Sequence, residues 1–212
     1  MAVSFPTREE FQRIKTNLAT AVGSPERLKL LVTSSRSGEG CSTVASRLAL
    51  TLATDGAGEV VLVDACMRAP TLHERFAAPR APGLTDVLGG SASLQKALTG
   101  TVEPNLWFLP AGTATLDAGK LLANGNFADH MEALSARFTA VVIDAPPVLL
   151  YPDTALIARV TDAVMLVVWA GRTRRQVVLA AKRQLEQAEA RIAGVVLNRN
   201  RRYIPRWVYR RL

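Results

Sequence analysis

Cysteine is scarce in this sequence, and long hydrophobic runs are missing from it. Cys41 and Cys66 are its only cysteines, which are too few for a disulfide framework and are typical of a reducing compartment. The longest strongly apolar run, residues 163–171, is far shorter than the ~20 residues that a membrane-spanning helix needs. The first residues reach charged positions without the apolar core of a signal peptide. These absences predict a soluble, cytoplasmic protein.

Acidic residues are absent from the last fourteen positions, which carry six arginines. The net charge of the whole chain is +8, so the part before this tail is close to neutral. In the tail, residues 199–212, arginine is interleaved with Tyr203, Trp207 and Tyr209. Such a segment could lie on an anionic membrane surface, meet an acidic patch of a partner, bind nucleic acid without sequence preference, or form a solvated end.

Short apolar runs alternate with helical patterns along residues 1–198. The runs are mostly continuous, as in strands buried on both faces of a sheet, and the helices between them indicate parallel crossover connections. A capping box of Thr7 and Glu10 predicts an N-terminal helix over about residues 7–22, and Trp107 and Trp169 are expected in the core. We predict a single α/β domain over 1–198, with strands at 28–33, 60–64, 106–110, 141–144, 163–168 and 192–198 and helices at 42–55, 125–137 and 174–189.

A lysine is missing from the loop that follows the first predicted strand. This loop is rich in glycine and small residues and precedes a helix, so its backbone N–H groups could close around a phosphate. In the usual pattern G-x-x-x-x-G-K-[ST], Gly40 and Ser42 fit, Ser35 takes the first glycine position, and Cys41 takes that of the lysine. Without the lysine the motif alone is weak, and a plain strand–turn–helix junction is the alternative.

Two apolar runs end in an aspartate, at Asp64 and at Asp144. A carboxylate at a strand end beside a phosphate loop is where Mg²⁺ or its water shell is held, although a single such aspartate is more often a turn or capping residue. Ligands of parallel sheets bind at the carboxyl ends of the strands. The loop and the two aspartates together therefore favour a nucleotide site.

Two longer segments carry a family pattern. Residues 64–73, DACMRAPTLH, resemble D-A-D-L-R-R-P-x-x-H, and residues 143–148, IDAPPV, resemble I-D-T-P-P-V. Further matches lie at residues 83–90, Asp153, 168–173 and 194–198. These patterns are those of the bacterial tyrosine kinases of capsule and exopolysaccharide synthesis, relatives of the deviant-Walker positioning ATPases. The resemblance runs from about Glu9 to Asn198 and implies a three-layer P-loop fold, with a mainly parallel central sheet and helices on both faces.

The resemblance implies a site for ATP and Mg²⁺. Ser42 and Asp144 would lie on the metal side, and Asp64 would assist the metal or activate the tyrosine hydroxyl. Asn198 would lie near the adenine. The residues that would cradle the phosphates are those of the loop and the start of its helix: Ser37, Gly38, Glu39, Gly40, Cys41, Ser42 and Thr43.

The resemblance also implies a partner, a membrane polysaccharide co-polymerase that governs chain length and export. The protein would then lie in the cytoplasm at the inner face of the plasma membrane, which favours the membrane surface over nucleic acid as the target of the tail. The family's oligomerisation element, E-x-x-R-x-x-R, is matched loosely by Glu9, Gln12 and Lys15. A homo-oligomer formed through this helix is an expectation that the loose match leaves open.

Three departures from the family bear on activity. Cys41 replaces the loop lysine, Cys66 replaces the second aspartate of the D-A-D run, and the tyrosine-rich tail is reduced to the candidate phosphoacceptors Tyr203 and Tyr209. A neutral thiol cannot stabilise the charge that builds up on a transferred phosphoryl group, and loss of one such contact typically slows a reaction ~10²–10³-fold. We therefore expect a degenerate kinase that binds nucleotide weakly and phosphorylates tyrosine very slowly or not at all.

Several alternatives remain open at the level of sequence. Arg36 stands where positioning ATPases carry a second lysine, so it could supply the missing charge, or it could be a solvated loop residue. With such a rescue the protein would be a working tyrosine autokinase. A positioning-type ATPase that binds membrane or DNA through the tail is a further alternative. The two cysteines are expected to converge on one pocket, either as a thiol pair or as small neutral replacements.

Overall fold

The structure is a computed structural model that describes residues 8–23, 25–56, 58–124 and 126–200. Thr7 and the tail residues 201–212, with Tyr203 and Tyr209, lie outside the described residues. The helices and strands in chain order are α1 (Arg8–Val22), β1 (Leu28–Ser34), α2 (Cys41–Thr54), β2 (Val60–Asp64), α3 (Leu72–Arg75), α4 (Leu84–Leu88), α5 (Leu94–Ala97), β3 (Thr99–Gly100), β4 (Leu106–Leu109), α6 (Ala118–Ala123), α7 (Asn126–Arg137), β5 (Ala140–Asp144), α8 (Asp153–Ala158), β6 (Ala163–Trp169), α9 (Arg175–Gln187) and β7 (Ile192–Asn198).

The seven strands form one sheet in the order β3-β4-β2-β5-β1-β6-β7. Every strand pair is parallel except β3 with β4, so the prediction of a mainly parallel sheet is confirmed. β5 lies between β1 and β2. The carboxyl ends of these three strands therefore lie next to one another at one edge of the sheet, where ligands of such sheets bind.

Alternate residues of the central strands point to two separate cores. In β1, Leu30 and Val32 belong to a cluster with α1 and α2, whereas Leu31 belongs to a cluster with α4 to α9. Each of these three side chains is fully buried. Because both faces of the sheet are covered, its strands can be apolar throughout. This arrangement confirms the predicted three layers with helices on both faces.

The predicted strands and long helices all occur, with ends within about two residues of those predicted. The structure adds β3 and five short helices, α3 to α6 and α8. These elements span two to six residues, which is too short for a helical or strand periodicity to show in the sequence.

The N-terminal helix is fastened to α2 by a polar contact. Gln12 Nε2 donates to Asp55 Oδ1 at 2.9 Å, and Lys15 Nζ lies 2.5 Å from Asp55 Oδ2. Asp55 follows the last residue of α2, and Phe11 and Leu18 on the same helix are buried. Two of the three positions that resemble the family's oligomerisation element thus make contacts within the chain.

Replacing Asp55 with alanine should lower the free energy of unfolding by about 0.5–1 kcal/mol, since the contact joins two helices. The hydrogen bond from Lys15 holds the pKa of Asp55 below its usual value. Its stabilisation is therefore present above the unfolded-state pKa of about 4 and is lost as the pH falls through the lower folded-state pKa. Urea denaturation at pH 7 and at pH 3 measures both effects.

The matched control is Glu186→Ala. Glu186 pairs with Lys182 at 3.0 Å, and both side chains are about half exposed, so this change should cost less than about 0.5 kcal/mol. Equal losses in the two variants, or a loss in Asp55→Ala that does not shrink at pH 3, would show that Asp55 does not fasten α1 to α2.

Candidate functional site

The loop between β1 and α2 is closed by two glycines in left-handed conformations. Gly38 has φ +82° and Gly40 has φ +90°, backbone angles that residues with a side chain rarely adopt. A Cβ on Gly40 would lie 2.2 Å from Asn198 Nδ2, and that same amide donates to Glu39 O at 2.8 Å. The loop is therefore pinned to the end of β7, and only glycine fits at the contact.

Glu39 supports the loop from the inside. One carboxylate oxygen accepts hydrogen bonds from Ser35 N and Ser35 Oγ, each at 2.8 Å, and from Arg36 N at 2.9 Å. The other accepts from Thr173 Oγ1, in the segment before α9. Glu39 is 2% exposed. Its side chain thus holds the loop in shape, a role that the loop motif does not reveal.

The helix start next to this loop offers unpaired donors. An α-helix leaves its first N–H groups without an acceptor inside the helix, and the first turn of α2 closes with Val44 N donating to Gly40 O at 3.0 Å. The N–H groups of Cys41, Ser42 and Thr43 lie in this first turn, at the positive end of the helix dipole. This part of the predicted cradle has the geometry of an anion site.

A cleft of about 1150 Å³ opens beside the loop, between the exposed tip residues Arg36, Ser37 and Gly38 and the start of α9. Trp169 at the end of β6 lines it. The guanidinium carbons of Arg172 and Arg199 each lie 4.2 Å from the Trp169 ring centroid. The prediction that Trp169 is a core residue is wrong, because the last position of a strand at this edge faces the cleft.

Asp64 and Asp144 lie side by side beneath the loop. They are directly paired in the register of β2 and β5, and they are 1% and 0% exposed. Asp64 Oδ1 accepts from Cys66 N at 3.0 Å, but Asp64 Oδ2 and Asp144 Oδ1 are buried without a hydrogen-bond partner. Ser42 at the start of α2 lies near enough to Asp144 to lower the pKa of its carboxyl group. Mg²⁺ prefers oxygen ligands, such as carboxylate and hydroxyl oxygens. The carboxylate oxygens without hydrogen-bond partners and the nearby hydroxyl group therefore fit a magnesium ion.

Burial of the two carboxylates changes their acidity. Burial, followed by the neighbouring charge of Asp144, raises the pKa of Asp64 to about 7. Burial also raises the pKa of Asp144 to about 6, against the lowering effect of the hydrogen bond from Ser42. A carboxyl group with a pKa near 7 can accept a proton at neutral pH, which suits the role expected of Asp64.

Both cysteines adjoin Asp144, as expected, and both are free thiols. Cys41 Sγ lies 3.3 Å from Val32 O and 3.7 Å from Ala145 O, so it points inward to the strand ends. Cys66 Sγ lies 3.9 Å from Asp144 Oδ2. Burial raises the pKa of both thiols well above its usual value. Each thiol is therefore neutral at pH 7, and neither supplies positive charge.

The sequence motifs did not predict that Arg75 would lie near the site. Arg75 Nη1 donates to Thr43 Oγ1 at 2.9 Å, and the positive charge of Arg75 lowers the pKa of Asp144. Its only sequence signal was its place two residues after the matched His73. Arg68, in contrast, donates two hydrogen bonds to Asp153, from Nε to Oδ2 at 2.9 Å and from Nη2 to Oδ1 at 3.1 Å.

The comparisons with known proteins agree with this geometry. No protein-family model matches the chain. The tyrosine-protein kinase CpsD of Streptococcus agalactiae is 37% identical to it over 194 residues, which are 91% of this chain and 82% of that protein. The chain belongs to the bacterial tyrosine kinases of capsule and exopolysaccharide synthesis. The resemblance inferred from its motifs is confirmed.

Two solved structures show the same fold. The chimerical protein CapA2B2 superposes with a TM-score of 0.86 at 31% identity, covering 92% of this chain and 85% of that one. The kinase domain of the Escherichia coli tyrosine kinase ETK also gives a TM-score of 0.86, at 25% identity, covering 93% and 79%. The predicted P-loop fold is thus confirmed.

In this member of the family, most predicted site residues come together. Residues 37–43 form the loop and helix start, Asp64 and Asp144 lie beneath them, and Asn198 contacts the loop backbone. Arg36 stands at the exposed tip. The roles of these residues toward a nucleotide stay predictions.

Replacing Glu39 with alanine should remove the support of the loop. It would leave the N–H groups of the buried Ser35 and of Arg36 without their acceptor, at a cost of about 2–3 kcal/mol in the free energy of unfolding. Glu39→Gln keeps one accepting oxygen and should cost less. Urea denaturation measures the change, and Glu74→Ala, at an exposed carboxylate on α3, is the control. A loss no larger in Glu39→Ala than in Glu74→Ala would disprove the supporting role.

Proposed function

We propose that this protein is a kinase-like regulator of capsule or exopolysaccharide synthesis, with weakened ATP–Mg²⁺ binding and very slow or absent tyrosine phosphorylation. The observation that carries this proposal is the position of Cys41. The family places a lysine there, directed at the phosphates, and this chain has a neutral thiol that points toward backbone carbonyls.

The roles of the remaining residues follow from their positions. The N–H groups of the first turn of α2 would bind phosphate oxygens, and Ser42 and Asp144 would hold Mg²⁺. Bound Mg²⁺ would neutralise charge on the phosphates. Asp64, with its raised pKa of about 7, would accept the proton of a tyrosine hydroxyl. Asn198 keeps the loop closed on the side where the adenine is expected.

The missing charges predict how activity would be restored. Cys41→Lys places a cation at the phosphate position and should tighten ATP–Mg²⁺ binding and raise the rate of γ-phosphate transfer ~10²–10³-fold. Cys66→Asp restores the second carboxylate and should add to the rate only when Cys41→Lys is present, because such groups act as a unit. Calorimetry with ATP and Mg²⁺, followed by transfer of labelled γ-phosphate, measures both effects.

The control is Cys41→Ser, which changes the thiol without adding charge and should leave ATP affinity and the transfer rate close to those of the wild type. The proposal fails if the wild-type protein already phosphorylates tyrosine as fast as active protein kinases do. It also fails if Cys41→Lys and Cys41→Ser behave alike.

Arg75 is the observation that favours a second candidate function, an active tyrosine autokinase. Its guanidinium is exposed but contacts Thr43 in the first turn of α2, which places a cation beside the expected phosphate position. Arg36 at the exposed loop tip is the other candidate for the missing charge. If Arg75→Ala or Arg36→Ala abolishes a measurable wild-type transfer rate, that arginine replaces the lysine and the autokinase is the correct function, with Tyr203 and Tyr209 as candidate acceptors.

The partner we propose is a membrane polysaccharide co-polymerase of the chain-length-determinant type. The relationship to capsule kinases such as CpsD supports this class of partner. Within the described residues, no helix has the length and the apolar character that a membrane crossing needs. The protein would therefore act at the inner face of the plasma membrane through its partner, with the basic tail on the anionic surface. Self-association through α1 is part of the same proposal.

Removal of residues 199–212 should abolish binding to vesicles that contain anionic lipid, since each basic residue near such a surface contributes about 1 kcal/mol. Co-sedimentation with anionic and with neutral vesicles measures this, and the full chain with neutral vesicles is the control. Undiminished vesicle binding after the deletion contradicts the membrane role of the tail. Tail-dependent binding to DNA but not to vesicles would instead support a positioning-type ATPase.

A further inference from the structure

One of the two cysteine substitutions, Cys66, also changes the metal chemistry of the site. In the described part of the chain, Asp64, Cys66 and Asp144 are the one group of three side chains whose ligand atoms all lie within 4.8 Å of one another. In the family's pattern the position of Cys66 holds a third carboxylate, and the group would then contain oxygen donors alone. Here it contains two carboxylates and a sulfur.

The donor atoms of this group are positioned for an ion. Asp64 Oδ2 and Asp144 Oδ1 are buried and have no hydrogen-bond partner, in side chains that are 1% and 0% exposed. Cys66 Sγ is 3.9 Å from Asp144 Oδ2. Buried polar atoms without partners are rare in proteins and indicate a missing ligand. The two carboxylates lack a hydrogen-bonded counter-charge at these atoms, which a cation would supply.

We propose that Asp64, Cys66 and Asp144 form a binding site for a thiophilic divalent cation of the Zn²⁺ class. Zinc binds thiolate at about 2.3 Å and carboxylate oxygen at about 2.0–2.2 Å, usually with four tetrahedral ligands. Such ligands lie about 3.3–3.8 Å from one another, so atoms that lie within 4.8 Å of one another need to close by roughly 1.5 Å or less. Magnesium keeps to oxygen ligands, so sulfur in the group favours the softer ion.

An ion bound at this site would compete with Mg²⁺–ATP, because the two sites share Asp144. The three residues lie at the adjacent carboxyl ends of β2 and β5, and Asp144 also contacts Ser42 at the start of α2. An ion bound there takes the Asp144 carboxylate that the proposed Mg²⁺–ATP site requires. The metal site does not depend on the proposed function, because ion binding is measured without nucleotide, and nucleotide binding is measured without a thiophilic ion.

Cobalt(II) is the probe, because thiolate ligation gives it an intense charge-transfer absorption that oxygen and nitrogen ligands do not give. The full-length wild-type protein, reduced and freed of metal, should bind one Co²⁺ with this absorption, and Zn²⁺ should displace it. Cys66→Ser should lose the charge-transfer band and bind Zn²⁺ at least 10-fold more weakly. Asp64→Asn should keep a thiol but also weaken Zn²⁺ binding at least 10-fold, because a ligand is lost.

Cys66→Asp and His130→Ala are the matched controls. Cys66→Asp restores an oxygen-only group, which should bind Mg²⁺ and show no charge-transfer band. His130 lies on α7 outside the site, so His130→Ala should bind Co²⁺ and Zn²⁺ as the wild type does. The proposal is overturned if the wild type shows no charge-transfer band. It is equally overturned if Cys66→Ser or Asp64→Asn binds Zn²⁺ as tightly as the wild type, which would mean an adventitious ion only.

Discussion

Two buried carboxylates held side by side are the constraint on which this site depends. Parallel pairing of β2 with β5 places Asp64 and Asp144 in register, and the surrounding layers exclude water from both. Neither has a buried cation as a hydrogen-bonded partner among the described residues, and burial raises the pKa of each. Burying charge in this way is costly, so the arrangement is poised to bind a cation from solution.

The loop above the carboxylates is shaped independently of any ligand. Glu39 ties the backbone of Ser35 and Arg36 to Thr173, and Asn198 ties it to β7. The chain thus keeps a helix start with the geometry of an anion site, although the lysine of the family's pattern is replaced by Cys41. The proposed regulator, which would sense nucleotide or an ion in its place, would need such a cradle but not the catalytic charge.

Several arginines lie around the position where the family's pattern has a lysine. Arg75 approaches from α3, Arg36 stands at the loop tip, and Arg172 and Arg199 lie against Trp169 at the cleft. Arg68 is paired with the buried Asp153. Positive charge is therefore present around the expected phosphate position, but it comes from the rim of the site, where water screens charges more strongly than in the interior. In the proposed function, such charge would support weak nucleotide binding but not fast phosphoryl transfer.

The strands, the long helices, the glycine-rich loop and the two aspartates at strand ends could all be predicted from the sequence, because periodicity and turn residues are local properties of the chain. The family's motifs are likewise read along the chain. Contacts between residues distant in the chain are visible only in the folded structure: the inward turn of Glu39 to Thr173, the approach of Arg75 to Thr43, the attachment of Gln12 and Lys15 to Asp55, and the position of Trp169 at the cleft. It also brought Cys66 to the two carboxylates. No local sequence pattern encodes these contacts, because each joins residues that lie far apart along the chain.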